Sequence, residues 1–411
     1  MTNLSSFGWK TAVLLTAAHA VAAGPAYATT VDYIDLTAGF GYSSNPGLSL
    51  DSKSSVFGRV SAFGSHSWRT ERNTTTLTAY LENSTYFKRY GSKPIFDLEA
   101  HTSQIFSPNV TVFGDLGLQG DFAGQLSNRL LTVPTEPVIV EPGNPLPPTT
   151  ANPDVFGLSG RQYRLFGQAG ASIRTSKRSS ILLSAGAQRQ VFTGNSDADY
   201  NTYFASAGYS HQISERTSAG ASVFFQRQDF QHGDYANVVN PVVTIQTSLR
   251  ENLVADAAIG VMSLDQRIDG HHDHSISPSF SGGLCSTSSS SGLCVRIARD
   301  ARSSLGSRIT NVGGGAAIST SLGVSYFRRL SERDTWQASL SAVRYTTPDA
   351  INNLRIRSTY LTAVTGYDRK IGNRLAAGVQ GGLRRLFQVG PDPDLDFNAN
   401  AYLRYRIGDL K

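Results

Sequence analysis

The chain has 411 residues, of which 40% are hydrophobic and only 17% are charged, and its formal net charge is +6. No apolar run reaches the roughly 18 residues that a membrane-spanning helix needs. The modest positive charge is not gathered into a dense Lys/Arg run with interleaved aromatic residues, which argues against nucleic-acid binding. Low charge, 39 glycines and 20 phenylalanines are typical of a β-barrel, in which alternation dilutes the apolar signal.

The first 28 residues predict a cleaved secretory signal peptide. Lys10 supplies the positive flank, residues 12–23 form the short apolar core, and the Ala-Tyr-Ala at residues 26–28 is a small-x-small cleavage site. A short buried helix is the alternative, but the pattern changes abruptly to strand alternation at Val31. Residues 29–411 are therefore predicted to form one exported barrel domain.

Segments of strand length with alternating side chains fill most of that domain. The last one, residues 395–407, shows the pattern clearly, because its apolar positions from Phe397 to Ile407 alternate with polar and charged ones. Such a strand needs hydrocarbon on one face and water on the other, and only closure into a barrel pairs all its backbone groups in lipid. The sixteen predicted strands are 31–43, 55–68, 74–87, 95–106, 110–119, 162–174, 179–192, 201–213, 217–230, 242–250, 253–266, 316–327, 335–346, 356–371, 374–388 and 395–407.

Short and long connections alternate along the chain. Two long loops are predicted, at residues 122–161 and 268–314. An even strand number with this asymmetry predicts a transmembrane antiparallel up-and-down barrel of about sixteen strands, with short periplasmic turns and long extracellular loops. Trp68 and Trp336 lie beside predicted periplasmic turns on the apolar face, where interfacial aromatic belts occur.

Residues 38–46, Ala-Gly-Phe-Gly-Tyr-Ser-Ser-Asn-Pro, followed by alternating strands to the C-terminus, resemble the bacterial outer-membrane β-barrel porin-2 family. The resemblance implies a channel in the outer membrane of a Gram-negative bacterium, surrounded by outer-membrane lipid and inserted by the outer-membrane assembly machinery. For some members it implies a link to polysaccharide export. Many outer-membrane barrels end on an aromatic residue that this machinery reads, whereas this chain ends on Lys411, so Tyr405 or Ile407 would have to substitute.

The polar face of the predicted strands carries acidic residues early in the chain and basic residues mainly late. Because the last strand pairs with the first in a closed barrel, the two sectors are expected to meet or to face each other across the lumen. A charged lining tunes ion selectivity, although such charges can also merely keep the interior wet. The predicted pore-lining residues are Asp35, Glu82, Asp97, Glu99, Asp115, Arg164, Arg174, Arg384, Arg404 and Arg406.

The loop at residues 122–161 is the third external loop, and its position resembles that of the loop that narrows the pore of general porins. Its candidate constriction charges are Glu136, Glu141 and Asp154. Its Pro-rich composition favours the alternative of a floppy external loop.

The second predicted loop contains cysteine and histidine residues that could support other chemistry. Export makes a disulfide between Cys285 and Cys294 the favoured interpretation. The adjacent histidines of residues 271–274 lack the spacing of a tetrahedral metal site, which favours a solvated cluster, so no metal and no cofactor is predicted.

An enzyme is not predicted. Ser210 and His211 are neighbours on opposite faces of a strand, and the chain has no Gly-x-Ser-x-Gly motif. The sequence favours a passive channel for small hydrophilic or anionic solutes. The alternatives are an exopolysaccharide export conduit and a plugged barrel with a surface or adhesion role.

Overall fold

A computed structural model describes residues 29–48, 52–87, 90–122, 161–193, 199–268, 270–304, 315–349, 354–387 and 394–408. This part of the chain is almost wholly β-structure, with one 3₁₀ turn at Gln231–Gly233. None of its helices is long and apolar enough to cross a membrane. The predicted signal peptide lies outside the described residues.

In the described part of the chain, eighteen strands form one antiparallel sheet. The first strand pairs with both the second and the last, so the sheet closes into a barrel and its edges are removed. The strands are β1 (Thr29–Ser43), β2 (Ser55–Arg69), β3 (Asn73–Tyr86), β4 (Gly91–Ser107), β5 (Val110–Phe122), β6 (Arg161–Arg174), β7 (Ser179–Phe192), β8 (Tyr200–Gln212), β9 (Thr217–Phe230), β10 (Tyr235–Arg250), β11 (Leu253–Ile268), β12 (His271–Thr287), β13 (Ser291–Ser304), β14 (Gly315–Arg329), β15 (Asp334–Asp349), β16 (Leu354–Lys370), β17 (Leu375–Phe387) and β18 (Asp396–Gly408).

The prediction of a closed up-and-down barrel is confirmed, but its strand number is too low by two. The segment predicted as a long loop at residues 268–314 contains β12 and β13, and only residues 288–290 connect them. Serine and glycine fill much of both strands, which lowers their hydrophobicity. Outward Ile276, Leu284 and Ile297 nevertheless keep the alternation.

The two faces of the sheet have opposite character, as the alternation predicts. On β18, Leu403 is 54% exposed on the outer face, whereas Asp396 on the inner face is fully buried. On β14, Leu322 points outward and is 43% exposed, whereas Ser319 is fully buried. The barrel is therefore apolar outside and largely polar inside, the reverse of a soluble sandwich.

The two ends of the barrel also differ. At one end every connection has two to four residues, and both termini of the described barrel lie there, because Thr29 pairs with Arg69 and Gly408 with Tyr33. We call it the short-turn end. The long-loop end carries the longest connection, residues 123–160. At the short-turn end, Trp336 packs edge-on against Tyr326 with ring centroids 5.3 Å apart.

Inward side chains near the long-loop end are packed rather than open to solvent. The largest group, which we call the inner apolar cluster, lies on one side of the barrel from β7 to β11 and consists of Phe192, Tyr200, Phe230, Ala236, Val238, Met262 and Leu264. A smaller group joins the segment after β1 to β16 and β17 and consists of Leu48, Tyr360 and Leu386. Another small group lies on β14 and β15 and consists of Ala317, Val343 and Tyr345.

Candidate functional site

The site that the alternation predicts is the inner face of the barrel, and most of the predicted lining residues lie there. Their partners depend on the strand register. The acidic sector of the early strands and the basic sector of the late strands meet where β18 pairs with β1, because that pairing closes the barrel.

Two ion pairs lie on β18, and the first of them crosses this junction. Arg406 makes a bidentate contact with Asp35 of β1, in which its Nε and Nη2 donate to the two carboxylate oxygens at 2.7 Å each. Arg404 donates from Nη2 to Asp368 of β16 at 3.0 Å, and the Tyr402 hydroxyl donates to the same carboxylate at 3.1 Å. These contacts reach across β17 above Gly378, where a Cβ would lie 2.4 Å from the Tyr402 ring. The closed seam is thus held by charge as well as by backbone hydrogen bonds.

A fully buried ion pair lies closer to the long-loop end. Arg384 of β17 donates from Nε and Nη2 to Asp396 Oδ2 at 2.8 and 2.6 Å, and the two side chains are 5% and 0% exposed. Asp396 Oδ1 accepts from the Ser43 hydroxyl at 2.7 Å and from the Asn45 backbone N–H at 2.8 Å. Each acceptor oxygen is satisfied, which is the condition under which a buried carboxylate is tolerated.

A second ion pair, in which only the carboxylate is fully buried, lies on β2 and β3. Arg59 contacts Glu82 at 2.9 Å, and the Tyr80 and Ser84 hydroxyls donate to the same carboxylate. The sequence analysis identified Glu82 but not Arg59. Arg59 alternates with outward Val60 on β2, so its side chain points inward. Asp368 and Asp396 were missed in the same way. For all three residues, the alternation of inward and outward side chains along the strand places the side chain on the inner face.

The inner face of β4 to β6 carries a hydrogen-bonded polar strip. The Gln168 side chain donates to Asp115 at 2.6 Å, and His101 contacts the other oxygen of that carboxylate. The Gln119 side chain donates to Glu99 at 3.2 Å, and Glu99 is exposed to the lumen. Ordered carboxylates on a lumen-facing surface can bind water, cations or solute hydroxyl groups.

Arg164 differs from the other inward arginines of this region. Its Nε is buried and has no hydrogen-bond partner among the described residues. The guanidinium lies over the Phe166 ring at 5.0 Å from the centroid, and Asp97 and Glu99 are near enough to interact with it electrostatically. An incompletely satisfied cation on the inner face is suited to contacting a passing anion.

Further along the wall, Thr202 and Gln228 are directly opposed on β8 and β9. Gln228 is 1% exposed, and neither of its amide atoms has a hydrogen-bond partner among the described residues; the same holds for the Thr202 hydroxyl. Both side chains are buried in the wall, so they do not belong to the surface that a solute contacts. The sequence analysis did not identify this pair, because neither residue is charged.

Other predicted residues lie elsewhere. Arg174 is exposed at the short-turn end, so it belongs to the rim. Glu136, Glu141 and Asp154 of the predicted constriction loop lie outside the described residues.

The predicted loop placement of the cysteines and histidines is wrong, because both groups lie in strands. Cys285 and Cys294 are directly opposed on β12 and β13 and form a disulfide bond. His272 forms an ion pair with Asp265 on the neighbouring strand at 2.8 Å, and His274 contacts Ser263 at 3.3 Å. The regular ladder between β11 and β12 fixes these positions.

Comparison with known proteins gives likeness at the level of solved structures only. No protein-family model matches the chain, and no curated protein matches it either. Pseudomonas aeruginosa OccK2 (OpdF) is 11% identical, with a TM-score of 0.47, over 93% of this chain and 98% of that one. P. aeruginosa OccK1 (OpdK) gives 10% identity and a TM-score of 0.45 over 92% and 98%. Acinetobacter baumannii OccAB3 gives 7% identity and a TM-score of 0.43 over 92% and 99%. Scores this low support no inference about function, which has to come from the barrel itself.

Proposed function

We propose that this protein is an outer-membrane channel for the passive diffusion of small hydrophilic solutes, including anions. The observation that carries the proposal is the closed barrel whose outer face is apolar and whose inner face carries charged and hydrogen-bonding side chains. Such a barrel is stable in lipid, because every strand has a partner on both sides, and its lumen is hydrated. The short-turn end would face the periplasm and the long-loop end the outside of the cell.

Ion selectivity would be modest, because much of the lining charge is already compensated. Four inward arginines are each paired with a carboxylate, in the pairs Arg59–Glu82, Arg384–Asp396, Arg404–Asp368 and Arg406–Asp35. An ion crossing the lumen therefore meets alternating charges rather than one sign. Packed side chains near the long-loop end would make that end the narrow part of the path.

Two further partners are expected, the outer-membrane lipid and the outer-membrane assembly machinery. Outer-membrane lipid would contact the exposed apolar face, and the outer-membrane assembly machinery would insert the chain after a signal peptide directs export. The proposed role is transport.

Conductance of the purified protein in a planar lipid bilayer tests the proposal. Stable single-channel steps that change when Arg404 and Arg406 are both replaced by glutamine support the channel. A refolded barrel that inserts but never conducts contradicts it and favours a plugged barrel. Block by an acidic polysaccharide, but not by simple sugars, would favour the export conduit.

A further inference from the structure

The connection between β1 and β2 enters the barrel. β1 ends at Ser43, which is directly opposed to Ser55 at the start of β2. A turn of two residues is enough to join strands in this register, and it is the commonest hairpin connection. The chain uses residues 44–54 instead. The extra length lets the chain run along the inner wall, as the contacts of residues 44–48 and 52–54 show.

The first part of the connection runs along β18 and β17, which lie on the side of β1 away from β2. The Asn45 N–H donates to Asp396 of β18 at 2.8 Å, and the Asn45 side-chain amide donates to the Asp394 carbonyl at 2.9 Å. The Pro46 carbonyl accepts from Arg384 Nη2 of β17 at 3.4 Å. Asp396 and Arg384 point inward, so this part of the chain lies inside the barrel, against its wall.

Leu48 fixes the far end of this part on β16 and β17. Its side chain forms a buried cluster with Tyr360 and Leu386 and is 2% exposed. A β-turn leads to it, in which the Leu48 N–H donates to the Asn45 carbonyl at 3.1 Å, and asparagine and proline occupy the first two positions, as is common. Leu48 has a φ of 44°, which leucine seldom adopts, so the burial of its side chain has to hold it there. We call residues 44–48 the inserted segment.

The return part of the connection is held from the other side of β1. Tyr90, in the connection between β3 and β4, accepts the Lys53 N–H on its hydroxyl oxygen at 2.5 Å and contacts the Ser52 hydroxyl at 3.0 Å. The Ser52 hydroxyl oxygen accepts from the Gly47 N–H at 3.1 Å, which ties the return part to the inserted segment. The inserted segment is thus held both by the wall and by the chain that follows it.

The exposure of the inward arginines shows what the inserted segment does to the lumen. Arg384 and Asp396, which the segment contacts, have side chains that are 5% and 0% exposed. Arg404 and Arg406 lie nearer the short-turn end of the same wall and are also paired with carboxylates, yet each side chain is 22% exposed. The wall is therefore open to the lumen near the short turns and covered by a second layer of chain near the long loops.

We propose that the inserted segment is the constriction of the channel. A segment that lies inside the wall takes cross-section from the lumen, so it sets the largest solute that passes. Leu48 and the Arg384–Asp396 pair hold it in place. This inference rests on the proposed channel function, because only a conducting lumen can be constricted.

A loop replacement tests the size limit. Replacing residues 44–54 by Asn-Gly removes the inserted segment and joins the directly opposed Ser43 and Ser55 through a two-residue turn. Conductance is measured in planar bilayers, and the entry of arabinose and of the trisaccharide raffinose is measured by vesicle swelling. The replacement should raise the single-channel conductance by roughly twofold or more and raise raffinose entry relative to arabinose entry, because a barrel of this size without inserted chain leaves a wide aqueous channel.

A charged label tests the position of the segment without removing it. Gly47 is partly exposed and its φ is not positive, so Gly47→Cys keeps the backbone conformation. A negatively charged methanethiosulfonate on this cysteine should lower the anion-to-cation permeability ratio by roughly tenfold, the effect of one charge about 6 Å from the path in water on both ions together, and a positively charged one should raise it. Asn373→Cys, in the short turn between β16 and β17, is the control, and labelling it should leave the ratio nearly unchanged.

A replacement protein with the conductance and the sugar limit of the unchanged protein would overturn the inference. So would a Gly47→Cys protein that fails to react, or that changes selectivity no more than Asn373→Cys does. If the replacement protein does not fold, the labelling result decides alone. Absence of conductance in every protein would instead refute the channel function.

Discussion

The buried ion pair between Arg384 and Asp396 gives the sharpest prediction about stability. Replacing Asp396 with alanine leaves the guanidinium buried without its carboxylate and removes the acceptor for the Ser43 hydroxyl and the Asn45 N–H. Breaking a buried pair on one side costs about 3–5 kcal/mol. Since about 1.4 kcal/mol is a tenfold change in an equilibrium constant, the unfolding constant should rise by roughly two to three and a half orders of magnitude.

Denaturant unfolding of the refolded barrel, followed by tryptophan fluorescence and by heat-modifiable gel mobility, measures this change. Arg385→Ala is the matched control, because Arg385 is exposed on the other face of β17 and lies over the Phe387 ring at 4.5 Å from the centroid. Removing the Arg385 side chain should lower the free energy of unfolding by about 0.5–1 kcal/mol. The double variant Arg384→Met with Asp396→Leu should regain part of the stability lost in the single variant. A cost below about 1 kcal/mol for Asp396→Ala, or a double variant no better than the single, would refute this reasoning.

Three further predictions follow from the lining, the outer face and the disulfide. Arg164→Gln should lower the anion-to-cation permeability ratio by roughly sixteenfold, because one charge about 5 Å from an ion in water changes anion and cation permeability by roughly fourfold each, in opposite directions; an unchanged reversal potential would contradict it. Leu403→Arg should destabilise the folded barrel in lipid vesicles by about 2–4 kcal/mol, whereas the inward control Asn400→Arg should be tolerated; equal effects would argue against the two-solvent barrel. Replacing Cys285 and Cys294 by serine should lower the free energy of unfolding by roughly 2–3 kcal/mol, as expected for a short closed loop. Under reducing conditions, the serine variant and the unchanged protein should have the same free energy of unfolding.

The alternation of side chains was enough to predict the closed barrel and the outward faces of most strands. It works because a strand between lipid and water has one apolar and one polar face, as from Phe397 to Ile407 on β18. It failed for β12 and β13. Their lumen-facing positions include Ser279 and Gly283, and their outward row is interrupted by Pro278, so the segment resembles a low-complexity loop. The neighbouring strands supply the ladders that make it β-structure.

The lining residues could be predicted from parity, but their partners could not. Arg406 and Asp35 are 371 residues apart and meet only because β18 closes onto β1 in one register. Tyr402 reaches Asp368 across Gly378 of the intervening strand, where a Cβ would clash with the Tyr402 ring. The inner apolar cluster was also missed, since inward apolar residues contradict the rule that predicts a polar lumen.

Cysteine accessibility along β18 tests the central claim most directly. In vesicles that contain the folded protein, Asn400→Cys and Tyr402→Cys should react with a membrane-impermeant thiol reagent, because these positions face a water-filled lumen. Ala401→Cys and Leu403→Cys should not react, and a fluorophore attached there before refolding should be quenched by brominated lipid. The reverse pattern, with positions 401 and 403 reactive and positions 400 and 402 protected, would contradict a barrel that is apolar outside and wet within.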